Sequence, residues 1–227
     1  MNYIIHCILA IIVCTSCGGP RRSNQEQPVV RTAVKQSPPR SKIIVIDAGH
    51  GGEDPGARRK EPPRLIEKNL TLYTANCAAV RLKSLGYRVI MTRTGDYTVP
   101  LFDRVRFADR GHGDIFVSIH YNSCPKSQVQ GIEVYFFKNR LSDKRQIASE
   151  LLGKCLLDNV VRATKSPARG VRHGNFCVIR ETKMPAVLVE CGYITSPQEA
   201  VRLSKKRYLQ RVALGIASGI DSYFRSI

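Results

Sequence analysis

Three side chains that can bind a metal or transfer a proton stand at the ends of apolar runs of strand length. The run KIIVID leads through a short turn to His50, DIFVSI leads to His120, and AVLV leads to Glu190. The carboxyl ends of the strands in an open α/β sheet border one ligand crevice, so we expect these side chains to converge there. Glu67 is a fourth candidate, because it stands where the first helical pattern begins, after a loop able to fold back across the same edge.

Two histidines and one carboxylate, with a fourth position open, are the ligand set of a catalytic zinc site. In such a site the metal lowers the pKa of a bound water and polarises a carbonyl oxygen. Each residue alone also has a structural interpretation, the histidines as hydrogen-bonded rim residues and Glu67 as a partner of the helix dipole. The chain has no G-x-S-x-G elbow, no H-E-x-x-H helix and no Gly-Lys-Ser/Thr after AGHGG, which excludes the commonest serine hydrolase, metalloprotease and phosphate-loop signatures.

The elements that must position these residues alternate between strand and helix patterns. Apolar runs predict strands at 42–47, 87–91, 114–119, 131–137 and 186–189. Helices are predicted to carry Leu70, Tyr73, Cys77 and Val80 up to Gly86, to begin at Pro100, to run from Ser142 to about Val161, and to follow the capping box Ser196-Pro197-Gln198-Glu199. Between Tyr121 and Val189 the patterns indicate only one strand and one helix. The alternation predicts an α/β fold, a single globular domain with a twisted, mostly parallel central sheet flanked by helices.

The N-terminal residues 1–17 are typical of a secretory signal sequence, since an apolar block at 4–13 is followed by small residues. A short buried segment is the alternative, because no Lys or Arg precedes the block. Cys17 resembles the cleavage site of a bacterial lipoprotein, which predicts an exported, periplasmic protein tethered to the membrane by lipid; ordinary signal cleavage would release it. Residues 18–41, rich in Pro, Ser and Gln, predict a disordered basic linker, and residues 42–227 form the predicted folded domain.

Five of the eight cysteines lie in the predicted domain, at unrelated spacings. A domain of this size buries a core without disulfides, so we predict free thiols or small buried residues, with one incidental pair as the alternative. These residues are Cys77, Cys124, Cys155, Cys177 and Cys191.

Five motifs, in order across the predicted domain, carry a resemblance to a known family. They are IVIDAGHGGEDPGA, the glutamate of LIEKNLTL, MTRTGDYTVPL, SIHYNS and MPAVLVECGYITSP. Together they resemble the zinc-dependent N-acetylmuramoyl-L-alanine amidases of bacterial cell-wall turnover and division. The resemblance implies an α/β globule with a twisted, largely parallel sheet, in agreement with the strand pattern.

The resemblance also implies a role for each candidate residue. His50, Glu67 and His120 correspond to the family's Zn²⁺ ligands, and Glu190 to the carboxylate that takes a proton from water and delivers it to the leaving amine. The implied reaction is hydrolysis of the amide between N-acetylmuramic acid and L-Ala of the peptidoglycan stem peptide. Tyr121 and Ser123 depart from the small residues common after the metal-binding histidine, so we expect them beside His120 to shape substrate selection.

Four further residues are predicted near the site. Asp47 is placed to orient a ligand imidazole through its other ring nitrogen, or alternatively to cap local backbone. The resemblance and a position at the strand edge suggest that Arg93, Asn122 and Arg180 lie on a rim that faces substrate carboxylates. The alternative for the arginines is simple solvation, as for most arginines on such a basic chain.

The chain carries 36 Lys and Arg against 18 Asp and Glu, and this formal charge of +18 indicates an anionic partner. Peptidoglycan with its stem carboxylates fits, and so does a membrane surface. No nucleic-acid partner is predicted, because no nucleic-acid-binding motif accompanies the charge. The alternatives to an amidase are an exported zinc carboxypeptidase or endopeptidase acting on stem peptides, and an inactive cell-wall-binding protein. The identity of any protein activator does not follow from the sequence.

Overall fold

The computed structural model describes residues 41–139 and 143–227 of the chain. The predicted signal sequence 1–17 with Cys17, the predicted linker except its last residue, and the predicted helix start at Ser142 lie outside these residues. Those predictions stay predictions. Within the two described ranges, no helix is long and apolar enough to cross a membrane.

Strands and helices alternate through most of the described chain. The strands are β1 (Ile43–Ala48), β2 (Arg58–Arg59), β3 (Leu65–Ile66), β4 (Arg88–Met91), β5 (Ile115–Asn122), β6 (Ile132–Phe136), β7 (Ala168–His173) and β8 (Ala186–Tyr193). The helices are α1 (Glu67–Ser84), α2 (Leu101–Arg110), α3 (Lys144–Thr164), α4 (Cys177–Glu181), α5 (Pro197–Leu203) and α6 (Lys206–Arg225). Every strand and helix predicted from the sequence has a counterpart among these elements.

The central sheet has six strands in the order β4-β1-β5-β8-β6-β7. Strands β4, β1, β5 and β8 are parallel, whereas β6 pairs antiparallel with β8 and parallel with β7. The prediction of an α/β fold with a mostly parallel sheet is therefore confirmed. Because β6 and β7 run in the opposite direction, their first residues lie at the edge where β1, β5 and β8 end.

The two faces of the sheet pack against different helices. Helices α1, α3 and α6 cover one face, where residues such as Ile46 and Val117 form the larger core. Helices α2 and α4 cover the other, where Val45 and Phe116 belong to a smaller cluster. Consecutive strand residues point to opposite faces of the sheet, and helices cover both faces. Most residues of β1, β5, β6 and β8 are therefore buried, which explains the continuous apolar runs in the sequence.

The sequence patterns missed β7, α4 and the short hairpin of β2 and β3. The segment between Tyr121 and Val189 therefore holds a second strand and a second helix beyond those predicted. Strand β7 has the sequence ARGVRH, and as an edge strand it carries arginines in place of an apolar run. The predicted C-terminal helix is also two helices: α5 begins at the predicted capping box, where the Ser196 hydroxyl accepts a hydrogen bond from the Glu199 backbone N–H.

The buried face of α1 differs from the predicted one. Val80 is 69% exposed, while Thr74, Ala75 and Ala78 are buried. Leu70 is buried as predicted, but most of the buried face of α1 consists of small residues together with Leu82. This packing fixes the rotation of α1, which carries Glu67 as its first residue.

The cysteines of the predicted domain form no disulfide within the described residues. All five are free, and Cys191 is the one that is buried. Burial raises the pKa of the Cys191 thiol well above its ordinary value. The prediction of free or buried thiols is confirmed.

Candidate metal centre

His50 lies in the turn that follows β1, where its backbone is held in an uncommon conformation. Its φ of 60° is in the left-handed region, which residues other than glycine adopt rarely and often at functional sites. The Arg104 guanidinium donates to the His50 carbonyl at 2.8 Å. The His50 Nδ1 atom lies 2.8 Å from the Asp54 carboxylate, so the opposite nitrogen, Nε2, points to Glu67. These contacts fix both the position and the orientation of the imidazole.

Glu67 is the first residue of α1 and lies between the two histidines. Its Oε1 atom is 3.1 Å from His50 Nε2 and 3.0 Å from His120 Nδ1. Backbone N–H groups of Tyr121 and Ala57 donate to the same carboxylate. Burial alone would raise the pKa of Glu67, but the hydrogen bonds and charges of His120 and His50 outweigh it and hold that pKa far below its usual range. Glu67 is therefore a carboxylate at neutral pH.

His120 lies within β5, two residues before the strand ends. Its ring packs on the backbone of Gly49, where an added Cβ would lie 2.3 Å from His120 Cε1. Gly56 plays a similar part for the other two residues, since a Cβ there would lie 2.6 Å from both Glu67 Oε2 and His50 Cδ2. Two glycines thus make room for the three side chains.

One ligand atom from each of His50, Glu67 and His120 lies within 4.8 Å of the other two. Two neutral imidazoles and one carboxylate are the donor set of catalytic zinc sites. The two N–O separations, 3.1 and 3.0 Å, are hydrogen-bond distances and lie a few tenths of an ångström below the roughly 3.4 Å between tetrahedral ligands with bonds of about 2.0–2.2 Å, so small side-chain shifts would admit one small cation. The three side chains therefore fit a zinc ion, and its presence stays a prediction.

Glu190 lies next to this group on β8, directly opposite His120 in the register of β5 and β8. Its Oε2 atom is buried and has no hydrogen-bond partner in the described residues. Burial, and then the negative charges of Glu67 and Glu133, raise the pKa of Glu190 well above its ordinary value. A buried carboxylate oxygen without a partner is costly, so it marks a place where a water or a substrate group belongs.

A cavity of about 290 Å³ opens beside the two histidines. The first residues of α2 and α4 and the residues just before them form its opposite wall with mainly apolar side chains, among them Val99, Leu101 and Phe176. A small substrate group that reaches the metal-binding residues can therefore be desolvated by this wall.

Comparison with known proteins identifies the family. The family model described as N-acetylmuramoyl-L-alanine amidase matches residues 44–222. The chain belongs to the N-acetylmuramoyl-L-alanine amidase family. A relative named probable cell wall amidase LytH, from Staphylococcus epidermidis, is 37% identical over 195 residues that cover 86% of this chain. The chain spans 62% of the length of that relative.

Solved amidase structures share the fold of this chain. The catalytic domain of CwlV, an N-acetylmuramoyl-L-alanine amidase from Bacillus (Paenibacillus) polymyxa var. colistinus, is 38% identical, with a TM-score of 0.74 over 81% of this chain and 98% of CwlV. An N-acetylmuramoyl-L-alanine amidase from Clostridium difficile 630 is 34% identical, with a TM-score of 0.76 over 82% of this chain and 97% of the other. Both are similar over nearly their whole length, so the described domain corresponds to an amidase-family domain.

The prediction that Asp47 orients a ligand imidazole is wrong for this member of the amidase family. The Asp47 carboxylate is buried and accepts hydrogen bonds from Thr92, Arg104 and Ser118. Asp54 contacts the His50 ring instead. The physical reason is that the turn carries His50 away from β1, so the carboxylate four residues later in the same loop is nearer than the one in the strand.

The prediction that Arg93 faces substrate is also wrong. Arg93 is 0% exposed, and its guanidinium donates to the carbonyls of Ala48, Gly49, Lys68 and Gly95. Except for that of Gly95, these carbonyls belong to the end of β1, the turn after it and the first turn of α1, which hold His50 and Glu67. Arg93 therefore serves the backbone of the site, because a planar guanidinium satisfies several carbonyls at once.

Asn122, Arg180 and the residues after His120 occupy different surroundings. The Asn122 side chain donates to Glu133 at 3.2 Å, and Arg180 contacts Asn175 and Glu181 on its own segment, so a substrate role for either stays a prediction. Tyr121 is 0% exposed and its hydroxyl bonds to Thr74. The expectation that Tyr121 shapes substrate selection is therefore wrong, since alternation along β5 turns it to the opposite face from His120. Ser123 is exposed beyond the strand end.

Sequence reasoning missed a further buried carboxylate close to the site of this amidase-family domain. Glu133, on β6, is 3% exposed and lies directly opposite Glu190 in the register of β6 and β8. Its Oε2 atom accepts hydrogen bonds from Asn122, Tyr135 and Tyr193, and its Oε1 atom from Arg169. The signal available in the sequence was a glutamate inside the otherwise apolar run GIEVYFF.

Proposed function

We propose that this protein is a zinc-dependent amidase that hydrolyses the bond between N-acetylmuramic acid and the L-Ala of peptidoglycan stem peptides, in cell-wall remodelling, turnover or division. The observation that carries the proposal is the convergence of His50, Glu67 and His120 beside the unpartnered carboxylate oxygen of Glu190. Membership of the amidase family supports the choice of bond.

The residues divide the chemistry between binding and proton transfer. His50, Glu67 and His120 would hold Zn²⁺, which when bound supplies a Lewis acid and activates water. Glu190 would take the proton from the attacking water and deliver it to the leaving amine, and burial, which raises the pKa of Glu190, favours holding the proton between the two transfers. The apolar wall of the cavity limits the access of other water molecules to the scissile amide.

The same proposal covers location, domain division and partners. Residues 1–17 would direct export, Cys17 would carry a lipid that tethers the protein to the membrane on the periplasmic side, and residues 18–41 would hold the catalytic domain, 42–227, away from that surface. Peptidoglycan is the proposed substrate, and the positive charge of the chain favours its anionic stem peptides.

Mass analysis of the products tests the bond. Purified protein incubated with muropeptides should release sugar-free stem peptides that begin with Ala, leave the glycan intact, and lose activity when zinc is removed by a chelator. Shortened stems still attached to muramic acid would make the protein a zinc peptidase instead. No product with a fully zinc-loaded protein would favour an inactive wall-binding protein.

Replacement of Glu190 tests the division of roles. Glu190→Gln should keep zinc and the fold, because Glu190 is not among the three converging ligands, and should lower turnover by about 10²- to 10⁴-fold. Zinc content, the thermal unfolding midpoint and kcat are the measurements, with His173→Ala, an exposed histidine, as the matched control. Loss of zinc in Glu190→Gln would mean that Glu190 coordinates the metal.

A further inference from the structure

A row of residues crosses four neighbouring strands at the edge where the proposed metal centre lies. His120 on β5 pairs with Glu190 on β8, Glu190 pairs with Glu133 on β6, and Glu133 pairs with Gly170 on β7. Residues directly opposite each other on paired strands share one face of the sheet. The row therefore forms a continuous strip that begins at the metal-binding histidine and ends on the edge strand.

The far end of this strip is open. A Cβ built on Gly170 would meet no other atom within 4 Å, and its φ of 114° is in a region that favours glycine. Among the described residues, only the chain neighbours of Gly170 can therefore approach this position closely. An extended chain lying over Glu190 and Glu133 has room to continue across Gly170.

Arg169 stands beside this opening and is held in a fixed orientation. Its Nε atom donates to Glu133 at 2.8 Å, and its guanidinium carbon lies 5.4 Å from the centre of the Tyr193 ring. Its stem packs at Gly131, where an added Cβ would lie 3.0 Å from Arg169 Cγ. The side chain is nonetheless 31% exposed. An arginine fixed along one edge and accessible on the rest is pre-organised to bind a carboxylate.

Two arginine side chains lie beside the Glu133 carboxylate. Arg172 brings a second guanidinium, whose Nε lies 3.7 Å from the same Glu133 oxygen that Arg169 contacts. Two cations thus share one buried carboxylate, and Arg172 is 51% exposed. An anionic group arriving over β7 meets two partly exposed guanidinium groups that share one carboxylate.

We propose that Arg169 binds a carboxylate of the stem peptide, which runs from the metal centre over Glu190 and Glu133 toward β7. This inference rests on the proposed amidase function. Adjacent strands are about 4.8 Å apart, so Glu133, which holds the guanidinium, lies about 10 Å from the strand of His120. An extended peptide covers that distance in about three residues. The carboxylate therefore belongs to the second or third residue of the stem.

The test varies the charge of the substrate together with the charge of residue 169. Three muramoyl peptides are needed: one with free carboxylates, one with a carboxamide on the second stem residue, and one with a carboxamide on the third. Arg169→Gln should lower kcat/KM for the acidic peptide about tenfold or more, mainly through KM. For the peptide amidated at the contacted residue, Arg169→Gln should change kcat/KM less than threefold. The two amidated substrates thereby identify which carboxylate is bound.

Two controls separate recognition from structure. Arg211→Gln removes an equal charge from an exposed position on α6 and should leave all three substrates unaffected. Arg169→Lys, which keeps the charge but not the planar guanidinium, should recover part of the preference for the acidic peptide. Calorimetric titration of the wild-type protein with sugar-free acidic and amidated stem peptides makes the same comparison without turnover, and tighter binding of the acidic peptide is expected.

Equal losses on acidic and amidated peptides in Arg169→Gln would overturn the inference and assign Arg169 to support of the fold. Equal affinity of the wild-type protein for acidic and amidated peptides would overturn it as well, whatever the stability of the variant. Absence of any cleavage of the muramic acid amide by the zinc-loaded wild-type protein is a different result, which would reject the proposed function itself.

Discussion

Replacing Gly49 by alanine should displace His120 without replacing any proposed ligand. Gly49 has no positive φ, so its backbone accepts an alanine. The new methyl group would lie 2.3 Å from His120 Cε1, 2.4 Å from Nε2 and 2.8 Å from Nδ1. Carbon atoms in contact keep about 3.5–4.0 Å, so the imidazole must move by about 1 Å.

The size of the effect follows from the geometry of zinc coordination. Zinc–nitrogen distances tolerate about 0.2 Å, so an imidazole displaced by about 1 Å no longer binds. Substitutions of the groups that hydrogen-bond to ligand side chains weaken metal binding about 10- to 100-fold. Displacement of a ligand itself should therefore weaken zinc binding at least about 100-fold. The metal-free protein should lose only about 1–3 kcal/mol, because His120 borders the cavity and its ring can turn into that space.

Competition with a chromophoric chelator measures the zinc affinity, and urea unfolding of the metal-free protein measures the stability. Gly95→Ala is the matched control, because its methyl group would lie 3.2 Å from the half-exposed Tyr97 ring, which can move aside. The double variant Gly49→Ala, His120→Ala should regain stability but not zinc. A folded Gly49→Ala protein that binds zinc as tightly as the wild type would refute the assignment of His120 as a ligand.

Two further predictions concern the carboxylate in β1 and the one in the turn after it. Asp54→Ala removes the acceptor of His50 Nδ1 and should weaken zinc binding about 10- to 100-fold with little change in the unfolding free energy, measured by chelator competition and urea unfolding; unchanged affinity would contradict the orienting role. Burial alone would raise the pKa of Asp47, but Arg104, Ser118 and Thr92 hold it below its ordinary value, so the carboxylate stabilises the fold above about pH 4 and loses this effect as the pH falls further. Asp47→Asn, which leaves Arg104 buried without its ion pair, should cost about 3–5 kcal/mol at pH 7, and the difference from wild type in metal-free urea unfolding should shrink below about pH 4. A difference that stays constant with pH would show that the charge of Asp47 is not what stabilises the fold.

The fold and the meeting of the candidate ligands followed from local signals. His50 and His120 stand at strand ends and Glu67 at a helix start, and such positions gather at one edge whatever the details of packing. The position of Arg93 had no such signal, because a buried arginine that serves backbone carbonyls and a solvated one look alike in a single sequence. The choice between Asp47 and Asp54 depended on the backbone conformation of His50, which its residue type does not disclose.

Glu133 and Arg169 escaped prediction for a topological reason. A search for functional groups at the ends of strands assumes that all strands run in one direction, whereas β6 and β7 run opposite to β8 and β1. Their first residues, and not their last, lie at the site. Antiparallel pairing between two apolar runs separated by two helices and a further strand leaves no mark in the sequence.

The reversal of β6 and β7 also divides the chain into segments with separate tasks. His50 follows β1, Glu67 begins α1, and His120 and Glu190 belong to β5 and β8. The proposed contact to the stem peptide instead comes from the start of β7, after the long helix α3. The loop between α3 and β7 contains none of the metal-binding residues. Substitutions or insertions there can alter which stem peptides are preferred while the catalytic residues stay unchanged. The preference among stem peptides and the hydrolytic chemistry are therefore free to evolve at different rates.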